Sequence, residues 1–364
     1  MINQISTRFK RYLQMVSVLQ TVKSSSLENN IYLKKGKYSY NLTSKACIYK
    51  NTPVAIDFVR KITNNRISAS NFIPNIIASL FNLFSPVRIP GSEESLFAGE
   101  VLMQTIDNDI KIFDFDKQVI LTKVNDVEIF ENLKHITDYF EKYYLLTLVE
   151  YDDHKHFIID RIVAYKPYDE WTVKDKQLVI TSLFNSLRRQ VNDAVMSPLN
   201  YISTNDLLLS IQSTGKHTEF TKVINSLIDQ DQYDDQWPMI RCHGDLNFNN
   251  TLLEDHSVYV IDWDDSSEAV FFYDVMNCLF VDSMYLNDFT YLDLYFDGAY
   301  DDHFLKIFQS LGLEFCKDKK AYYLIIYIIV RINTYEYKKN MDNLDSIIQK
   351  YLNVINRIKL YANE

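Results

Sequence analysis

Glycine is scarce in this chain, with seven residues among 364 and none between Val101 and Val124. No glycine-rich phosphate loop is therefore predicted for that stretch. The four cysteines have no C-x-x-C spacing, which argues against a zinc site or a disulfide framework and favours reduced thiols in the cytoplasm. The net charge of -10 argues against a general nucleic-acid surface.

Long hydrophobic runs are also missing. The most apolar stretches, residues 72–84 and 322–330, are shorter than the ~20 residues that a membrane-spanning helix needs. Both predict core helices, although the first could instead lie against a membrane surface or a partner. Polar residues interrupt the basic amino terminus, so no signal peptide is predicted. With 47% apolar residues, the chain can form one large core or two smaller ones.

What the chain does contain is a polar octapeptide at residues 243–250, His-Gly-Asp-Leu-Asn-Phe-Asn-Asn, and the tetrapeptide Ile-Asp-Trp-Asp at residues 261–264. Protein kinases space the Asp and Asn of their catalytic loop in the same way. Phosphoryl transfer needs a carboxylate to receive the acceptor proton and oxygen ligands for magnesium. The spacing therefore predicts Asp245 as the base and Asn250 and Asp262 as metal ligands. An ordinary polar turn is the alternative.

These motifs resemble those of the aminoglycoside phosphotransferase and choline kinase superfamily, which has H-G-D-x-x-x-x-N and I-D-[FW]-[DE]. The resemblance implies a protein-kinase-like bilobal α+β fold, with a small antiparallel sheet lobe and a large helical lobe. It also implies ATP and Mg²⁺ as cofactors, and it places His243 beside Asp245 as a residue that shapes the catalytic loop. Asp274 would brace this loop, and a helix N-cap is the alternative role of Asp274, which does not exclude the first.

The acceptor class follows from two departures from protein kinases. Gly244 replaces the arginine that often reads a phosphorylated activation loop, and the interval from Asp262 to Asp274 is too short for an activation segment. A hydroxyl of a small molecule or glycan, such as a sugar, amino sugar or amino alcohol, is therefore the predicted acceptor. A catalytically silent kinase-like binding protein and a protein kinase remain as alternatives.

Three regions are predicted along the chain. Residues 1–90 form an appended region of unknown role, with short strands and helices including one at 72–84. Residues 91–166 form a nucleotide-binding lobe with a five-stranded sheet and a helix at 126–140. Residues 167–364 form a helical lobe with predicted helices at 173–195, 207–228, 275–285, 303–311, 319–337 and 344–360.

The nucleotide contacts are predicted from the kinase arrangement, in which a strand lysine pairs with a helix glutamate. Lys123, at the end of the third strand, is the candidate lysine, and an exposed strand-end lysine is the alternative. Glu128 is the predicted partner of Lys123, and Glu131 is the alternative partner. A capping-box role would explain Glu128 equally well. The turn at residues 107–109 would replace the absent glycine-rich loop.

Residues 282–302 interleave carboxylates with aromatic rings. Such a segment predicts a pocket for an amine or quaternary ammonium through charge and cation–π attraction, or a surface for sugar rings. A solvated acidic loop with aromatic packing is the alternative. The identity of the acceptor and the oligomeric state are not predicted.

Overall fold

The computed structural model describes residues 32–41, 47–64, 87–89, 97–104, 109–212, 218–333 and 344–362. The predicted helix at 72–84 and most of the predicted turn at 107–109 lie outside these residues. The chain divides into two compact units, Met1–Lys134 with Thr147–Ala164 and His135–Leu146 with Tyr165–Glu364. No helix in the described ranges is long and apolar enough to cross a membrane.

The first unit contains an eight-stranded antiparallel sheet with the strand order β3-β1-β2-β4-β5-β6-β8-β7. Its strands are β1 (Gly36–Asn41), β2 (Cys47–Lys50), β3 (Val87–Ile89), β4 (Val101–Gln104), β5 (Ile110–Asp114), β6 (Val119–Lys123), β7 (Leu148–Asp152) and β8 (Phe157–Arg161). Helix α1 (Pro53–Asn64) follows β2, and helix α2 (Val127–Phe140) follows β6. The predicted helix at 126–140 is confirmed.

Side-chain alternation gives this sheet a core on each face. Ile112 and Leu121 belong to one buried cluster, while Phe113 packs in the other against Phe58 of α1, with 4.6 Å between ring centroids. The predicted five strands were too few, because Cys47–Lys50 pairs with β4 and extends the same sheet. Strands of the predicted appended region thus share a sheet with those of the predicted nucleotide-binding lobe. The division at residues 1–90, 91–166 and 167–364 stays a prediction.

The second unit is richer in helices and holds the largest buried cluster. Its helices are α3 (Val173–Ala194), α4 (Thr204–Gln212), α5 (Thr218–Asn225), α6 (Tyr273–Tyr285), α7 (Thr290–Phe296), α8 (Asp301–Ser310), α9 (Lys320–Arg331) and α10 (Leu344–Ala362). The helix predicted at 207–228 overlaps α4 and α5, and residues 213–217 between them lie outside the described residues. The predicted α+β class, with an antiparallel sheet part and a helical part, is confirmed.

Five short strands in this unit frame the octapeptide. Strands β9 (Asn200–Ser203) and β13 (Ser267–Val270) pair on either side of β10 (Gln236–Cys242), while β11 (Thr251–Glu254) and β12 (Ser257–Val260) form a hairpin. The octapeptide therefore begins where β10 ends and finishes where the hairpin starts. Both of its ends are fixed by backbone pairing.

The start of α3 supports the same hairpin. Thr172 and Asp175 form a reciprocal capping box, which satisfies backbone donors at the helix amino terminus. Lys166 contacts Asp175 at 2.7 Å, and hydrogen bonds from Lys166 and Thr172 lower the pKa of Asp175 to about 2. The backbone N–H of Lys166 also donates to the carbonyl of Leu253 in β11 at 2.7 Å. The helix start and the hairpin are thus joined through one residue.

Candidate active site

His243 is fully buried and clamps the loop to the residue before Asp262. Its Nε2 lies 3.0 Å from the carbonyl oxygen of Ile261, and its Nδ1 accepts a hydrogen bond from the backbone N–H of Asp245 at 3.3 Å. An acceptor at Nδ1 places the proton of a neutral imidazole on Nε2. Burial lowers the pKa of His243 to about 4. An enclosed, neutral ring is suited to shaping the loop rather than to exchanging protons with a substrate.

Asp274, in the first turn of α6, holds the beginning of the same loop. Its Oδ2 accepts a hydrogen bond from the backbone N–H of His243 at 2.7 Å, and its Oδ1 accepts one from Gly244 at 3.1 Å. Burial raises the pKa of Asp274 to about 7, and the two N–H donors act in the opposite direction. The N-cap of α6 is Phe272, so Asp274 is not that cap. Its carboxylate instead braces the loop.

Gly244 is required by the backbone at this point. Its φ of 90° lies in the left-handed region that L side chains rarely adopt. A Cβ atom would also lie 2.1 Å from the carbonyl oxygen of Asp265, a backbone atom that has little room to move. The hydroxyl of Tyr273 donates to the carbonyl oxygen of Gly244 at 3.1 Å. The loop therefore passes too close to its neighbours for any other residue.

Asn250 and Asp262 lie at the open end of the β11–β12 hairpin. The backbone N–H of Ile261 donates to the carbonyl oxygen of Asn250 at 3.0 Å, which extends the strand pairing by one step. The Nδ2 of Asn250 donates to the carbonyl oxygen of Asp245 at 2.8 Å. Asp262 comes next, with an exposed side chain and a φ of 69°. Positive φ at a residue other than glycine is uncommon and concentrates at functional turns.

Phe248 anchors the centre of the loop in an aromatic cluster. Its ring stacks on Tyr168 with 5.2 Å between centroids, and it contacts Tyr291 at 5.0 Å and Trp171 at 6.0 Å. The side chain of Asn247 donates to the carbonyl oxygen of Asp245 at 2.9 Å. Apolar packing and local polar contacts together fix the backbone that presents Asp245.

Asn250 and Asp262 offer oxygen donors, the ligand type that magnesium prefers. The Asn250 amide nitrogen is directed at the Asp245 carbonyl, so its amide oxygen is turned away from that carbonyl. No group of three or more His, Cys, Asp or Glu side chains in the described residues could hold a metal ion. One carboxylate and one amide suit magnesium that arrives with nucleotide phosphates, which supply further oxygens, better than a permanently bound metal.

The predicted nucleotide contacts lie in the first unit and are not joined to each other. Lys123 ends β6 between Ile110 and Phe157 of the neighbouring strands, and its side chain is half-buried. Glu128 is exposed, and the capping carboxylate of α2 is that of Asp126, which accepts from the backbone N–H of Glu128 at 2.8 Å. Within the described ranges, Lys123 forms no ion pair with Glu128 or Glu131. Their roles stay predictions.

Aromatic side chains of the acidic segment at 282–302 pack in the protein core. Tyr291, Tyr295 and Tyr300 are buried in the main core. Three of its carboxylates have protein partners: Asp301 contacts Lys320 at 2.5 Å, Asp293 contacts Arg357 at 3.4 Å, and Asp288 accepts from Thr290 at 2.6 Å. These contacts favour aromatic packing over an amine pocket.

Two residues near the loop, Asn277 and Arg331, were not predicted from the sequence. Asn277 lies one turn after Asp274 on the same helix face, and its Nδ2 donates to the carbonyl oxygen of Leu246 at 2.9 Å. Arg331 lies 3.8 Å from Oδ1 of Asp245, and its Nε donates to the hydroxyl of Tyr351 at 3.1 Å. The helical spacing could have indicated Asn277. A lone arginine after the apolar stretch 322–330 was the available signal for Arg331.

The comparisons with known proteins concern the region that holds this site. The family model described as the phosphotransferase enzyme family matches residues 198–307, less than one third of the chain. The matched segment includes the octapeptide, the hairpin and Asp274. Among curated proteins, none matches this sequence.

Several solved structures are similar at low identity. A choline/ethanolamine kinase family protein from Mesorhizobium loti is 10% identical, with a TM-score of 0.42 and coverage of 72% of this chain and 88% of that chain. The choline kinase LicA from Streptococcus pneumoniae is 14% identical, with a TM-score of 0.43 and coverage of 79% and 99%. The aminoglycoside phosphotransferase APH(3'')-Id from Streptomyces rimosus is 12% identical, with a TM-score of 0.38 and coverage of 63% and 92%.

Identities and TM-scores in this range carry no argument about substrate or activity. The family match is independent of them and falls on the motif residues themselves. The predicted resemblance is confirmed by this match, since residues 198–307 carry the pattern of the phosphotransferase enzyme family.

Proposed function

We propose that this protein is an ATP- and magnesium-dependent phosphotransferase that transfers the γ-phosphoryl group to a hydroxyl of a small molecule or glycan. The observation that carries the proposal is the double role of Ile261. Its carbonyl oxygen contacts His243, and its N–H donates to the carbonyl of Asn250. One residue therefore closes both ends of the loop and holds Asp245, Asn250 and Asp262 in one neighbourhood.

Asp245 is the proposed base. The acceptor hydroxyl oxygen forms a bond to the γ-phosphorus, the bond from that phosphorus to the bridging oxygen of ADP breaks, and the hydroxyl proton moves to the Asp245 carboxylate. ADP leaves with the bonding electron pair. The side chain of Asp245 is 20% exposed, which leaves part of the carboxylate accessible to an acceptor.

Asn250 and Asp262 are the proposed magnesium ligands. Bound magnesium neutralises negative charge on the nucleotide phosphates during transfer. The chain's own contribution is to fix the two oxygen donors: the amide of Asn250 is oriented by its bond to the Asp245 carbonyl, and Asp262 is oriented by its left-handed turn. Fixed ligands need little rearrangement when a metal–nucleotide complex binds.

Lys123 is proposed, on the resemblance, as a contact for nucleotide phosphates, with Glu128 as its partner. The two side chains form no ion pair in the described part of the chain, so nucleotide would have to bring Lys123 into position. A lysine is a compact point charge on a flexible stem, which allows such a movement. The assignment of Lys123 and Glu128 rests on the kinase arrangement alone.

We propose a small acceptor rather than a polypeptide because a β-strand occupies part of the interval between Asp262 and Asp274. Strand β13 occupies residues 267–270 of this interval and pairs with β10, so the backbone there belongs to a sheet. A protein kinase uses the corresponding interval for a segment that receives its substrate. The identity of the hydroxyl compound is left to experiment, since the carboxylates of residues 282–302 that approach Lys320, Arg357 and Thr290 are engaged within the protein.

The test is ATP consumption with magnesium in the presence of choline, ethanolamine, an aminoglycoside and neutral sugars, each supplied separately. We expect turnover with at least one acceptor, and Asp245→Asn should lower it by roughly 10²–10⁴-fold because the base is lost. Asn249→Ala is the matched control, since Asn249 is an exposed neighbour in the same loop. Full turnover in Asp245→Asn would contradict the assignment of the base.

A catalytically silent binding protein is the second candidate. It is favoured by the missing ion pair between Lys123 and Glu128 and by the absence of glycine between Val101 and Val124. Such a protein would consume no ATP with any acceptor and would show no thermal shift with magnesium and ATP. The same two measurements therefore decide between the candidates.

A further inference from the structure

Arg331 is an unusual residue at the end of α9. It is 1% exposed, and it is among the largest fully buried side chains in the described residues. An arginine keeps its charge in proteins, and burying that charge is costly unless other groups compensate it. The position therefore calls for partners that hold a guanidinium in one place.

Those partners come from α6 and α10. The Nε of Arg331 donates to the hydroxyl of Tyr351 in α10 at 3.1 Å, and one terminal nitrogen donates to Oδ1 of Asn277 in α6. The hydroxyl of Tyr327 donates to the same Asn277 oxygen at 2.8 Å. The ring of Tyr285 lies 5.9 Å from the guanidinium carbon. The direction of the guanidinium is thus fixed by side chains of α6 and α10, which lie outside the octapeptide and the tetrapeptide in the sequence.

The carboxylate that this guanidinium approaches is that of Asp245. The distance from Nη1 to Oδ1 is 3.8 Å, which is within ion-pair range but longer than a direct hydrogen bond. A close bidentate pair would occupy the carboxylate oxygens and make them poor proton acceptors. A charge at 3.8 Å attracts and orients the carboxylate while leaving it able to accept a proton.

Asn277 connects the same network to the loop backbone. Its Oδ1 receives Arg331 and Tyr327, while its Nδ2 donates to the carbonyl oxygen of Leu246, the residue after Asp245. The position of Asp245 is therefore influenced on two sides, through its carboxylate and through the neighbouring peptide. Arg331 takes part in both, through its approach to Asp245 and through its hydrogen bond to Asn277.

We propose that Arg331 is a positioning residue for the catalytic base, and that Tyr351 of helix α10 contributes to this positioning by holding Arg331. The inference rests on the proposed function, because it assigns a role relative to Asp245 as base. Arg331 acts through Asp245 and does not itself contact the acceptor. Loss of this positioning lowers kcat and leaves the KM values for ATP and acceptor unchanged.

Tyr351→Phe tests the proposal with the smallest change, since it removes only the hydroxyl that receives Arg331. We expect kcat to fall roughly threefold to tenfold, with both KM values within about twofold of wild type. Tyr322→Phe is the matched control, because its buried hydroxyl contacts Thr204 and the carbonyl of Gln232 and lies on the same helix as Arg331. It should lower the Tm comparably and leave kcat unchanged.

Arg331→Lys keeps the charge but cannot reach Asn277 and Tyr351 together. It should lower kcat more than Tyr351→Phe does, again without a change in KM. Equal kcat values for Tyr351→Phe, Arg331→Lys and Tyr322→Phe in an active enzyme would overturn the proposal. A wild-type protein with no turnover would instead sink the proposed function, and the positioning role with it.

A double-mutant cycle based on Tm measures the interaction between Arg331 and Asp245 without an activity assay. Asp245→Asn should change the Tm by a different amount in the wild-type and Arg331→Lys backgrounds, because the partner charge is placed differently. Additive changes in Tm would contradict the interaction between Arg331 and Asp245 even if every variant remained folded and active.

Discussion

The loop region and the sheet unit differ in how their candidate residues are held. In the loop region, Asp274 accepts two backbone hydrogen bonds, Ile261 contacts both ends of the loop, and Arg331 approaches the candidate base. In the sheet unit, Lys123 is half-buried at a strand end and Glu128 is exposed. The loop residues are held by hydrogen bonds, whereas Lys123 and Glu128 form no ion pair with each other in the described part of the chain.

The difference indicates which candidate residues the protein itself holds in place. Transition-state stabilisation depends on groups that are already oriented, because reorganisation during the reaction costs free energy. A residue that only attracts nucleotide phosphates can be mobile, since the ligand orders it on binding. We therefore expect substitutions in the loop region to affect stability and turnover together, and substitutions of Lys123 to affect nucleotide affinity alone.

Gly244→Ala should have the largest effect. It forces an L side chain to a φ of 90° and brings Cβ to 2.1 Å from the carbonyl oxygen of Asp265. We expect a loss of about 3 kcal/mol or more in the free energy of unfolding, and a loss of turnover, since the backbone must shift. Urea denaturation and ATP consumption measure the two quantities.

Gly312→Ala is the matched control for that substitution. Its φ of 69° is also positive, but no heavy atom lies within 4 Å of the added Cβ. Only the backbone penalty remains, about 1 kcal/mol. If both variants lost the same stability, the close approach at Gly244 would not be the constraint that we describe.

The two buried titratable groups of the loop should oppose each other in their pH dependence. His243 has a folded pKa of about 4, below its unfolded value, so its contribution is present above pH 6.5 and is lost as pH falls to 4. Asp274 has a folded pKa of about 7, above its unfolded value, so its contribution is present below pH 3.8 and is lost as pH rises to 7. The full contributions are about 3 and about 4 kcal/mol.

Single substitutions should separate these opposing slopes. Relative to wild type, Asp274→Asn should make the free energy of unfolding rise more steeply between pH 4.5 and 6.5, because the His243 slope is no longer offset. His243→Gln should make it fall over the same interval. Urea denaturation at the two pH values should give differences of about 2–3 kcal/mol. Slopes identical to wild type in both variants would show that neither group titrates as described.

Lys123→Ala should have the smallest effect on stability, within about 0.5 kcal/mol, because the side chain forms no ion pair with Glu128 or Glu131 in the described residues. We expect the KM for ATP to rise roughly tenfold if the lysine meets the phosphates. Lys117→Ala, at an exposed turn before β6, is the control. Equal KM values for the two variants would remove Lys123 from the nucleotide site.

The sequence predicted best those features that are short in range. The octapeptide and the helix at 126–140 each depend on neighbours within a few residues, so motif spacing and periodicity were sufficient.

Long-range features could not be read in this way. The pairing of Cys47–Lys50 with β4 joins residues about fifty positions apart, and strand alternation does not name a partner. The contact of Arg331 with Asp245 spans a still longer separation and depends on how α6, α9 and α10 pack. The aromatic segment at 282–302 looked chemically distinctive, yet the buried rings of Tyr291, Tyr295 and Tyr300 are needed for the core.

The most direct test of the central claim is the thermal shift produced by magnesium and ATP together in wild type, Asp262→Asn and Asp255→Asn. Both aspartates have positive φ, 69° and 53°, and asparagine tolerates that conformation, so the pair isolates the loss of charge at each site. We predict that magnesium and ATP raise the Tm of wild type and Asp255→Asn. The magnesium-dependent part of that rise should be lost in Asp262→Asn. An equal rise in all three proteins, or no rise in any, would contradict a metal–nucleotide site at Asp262.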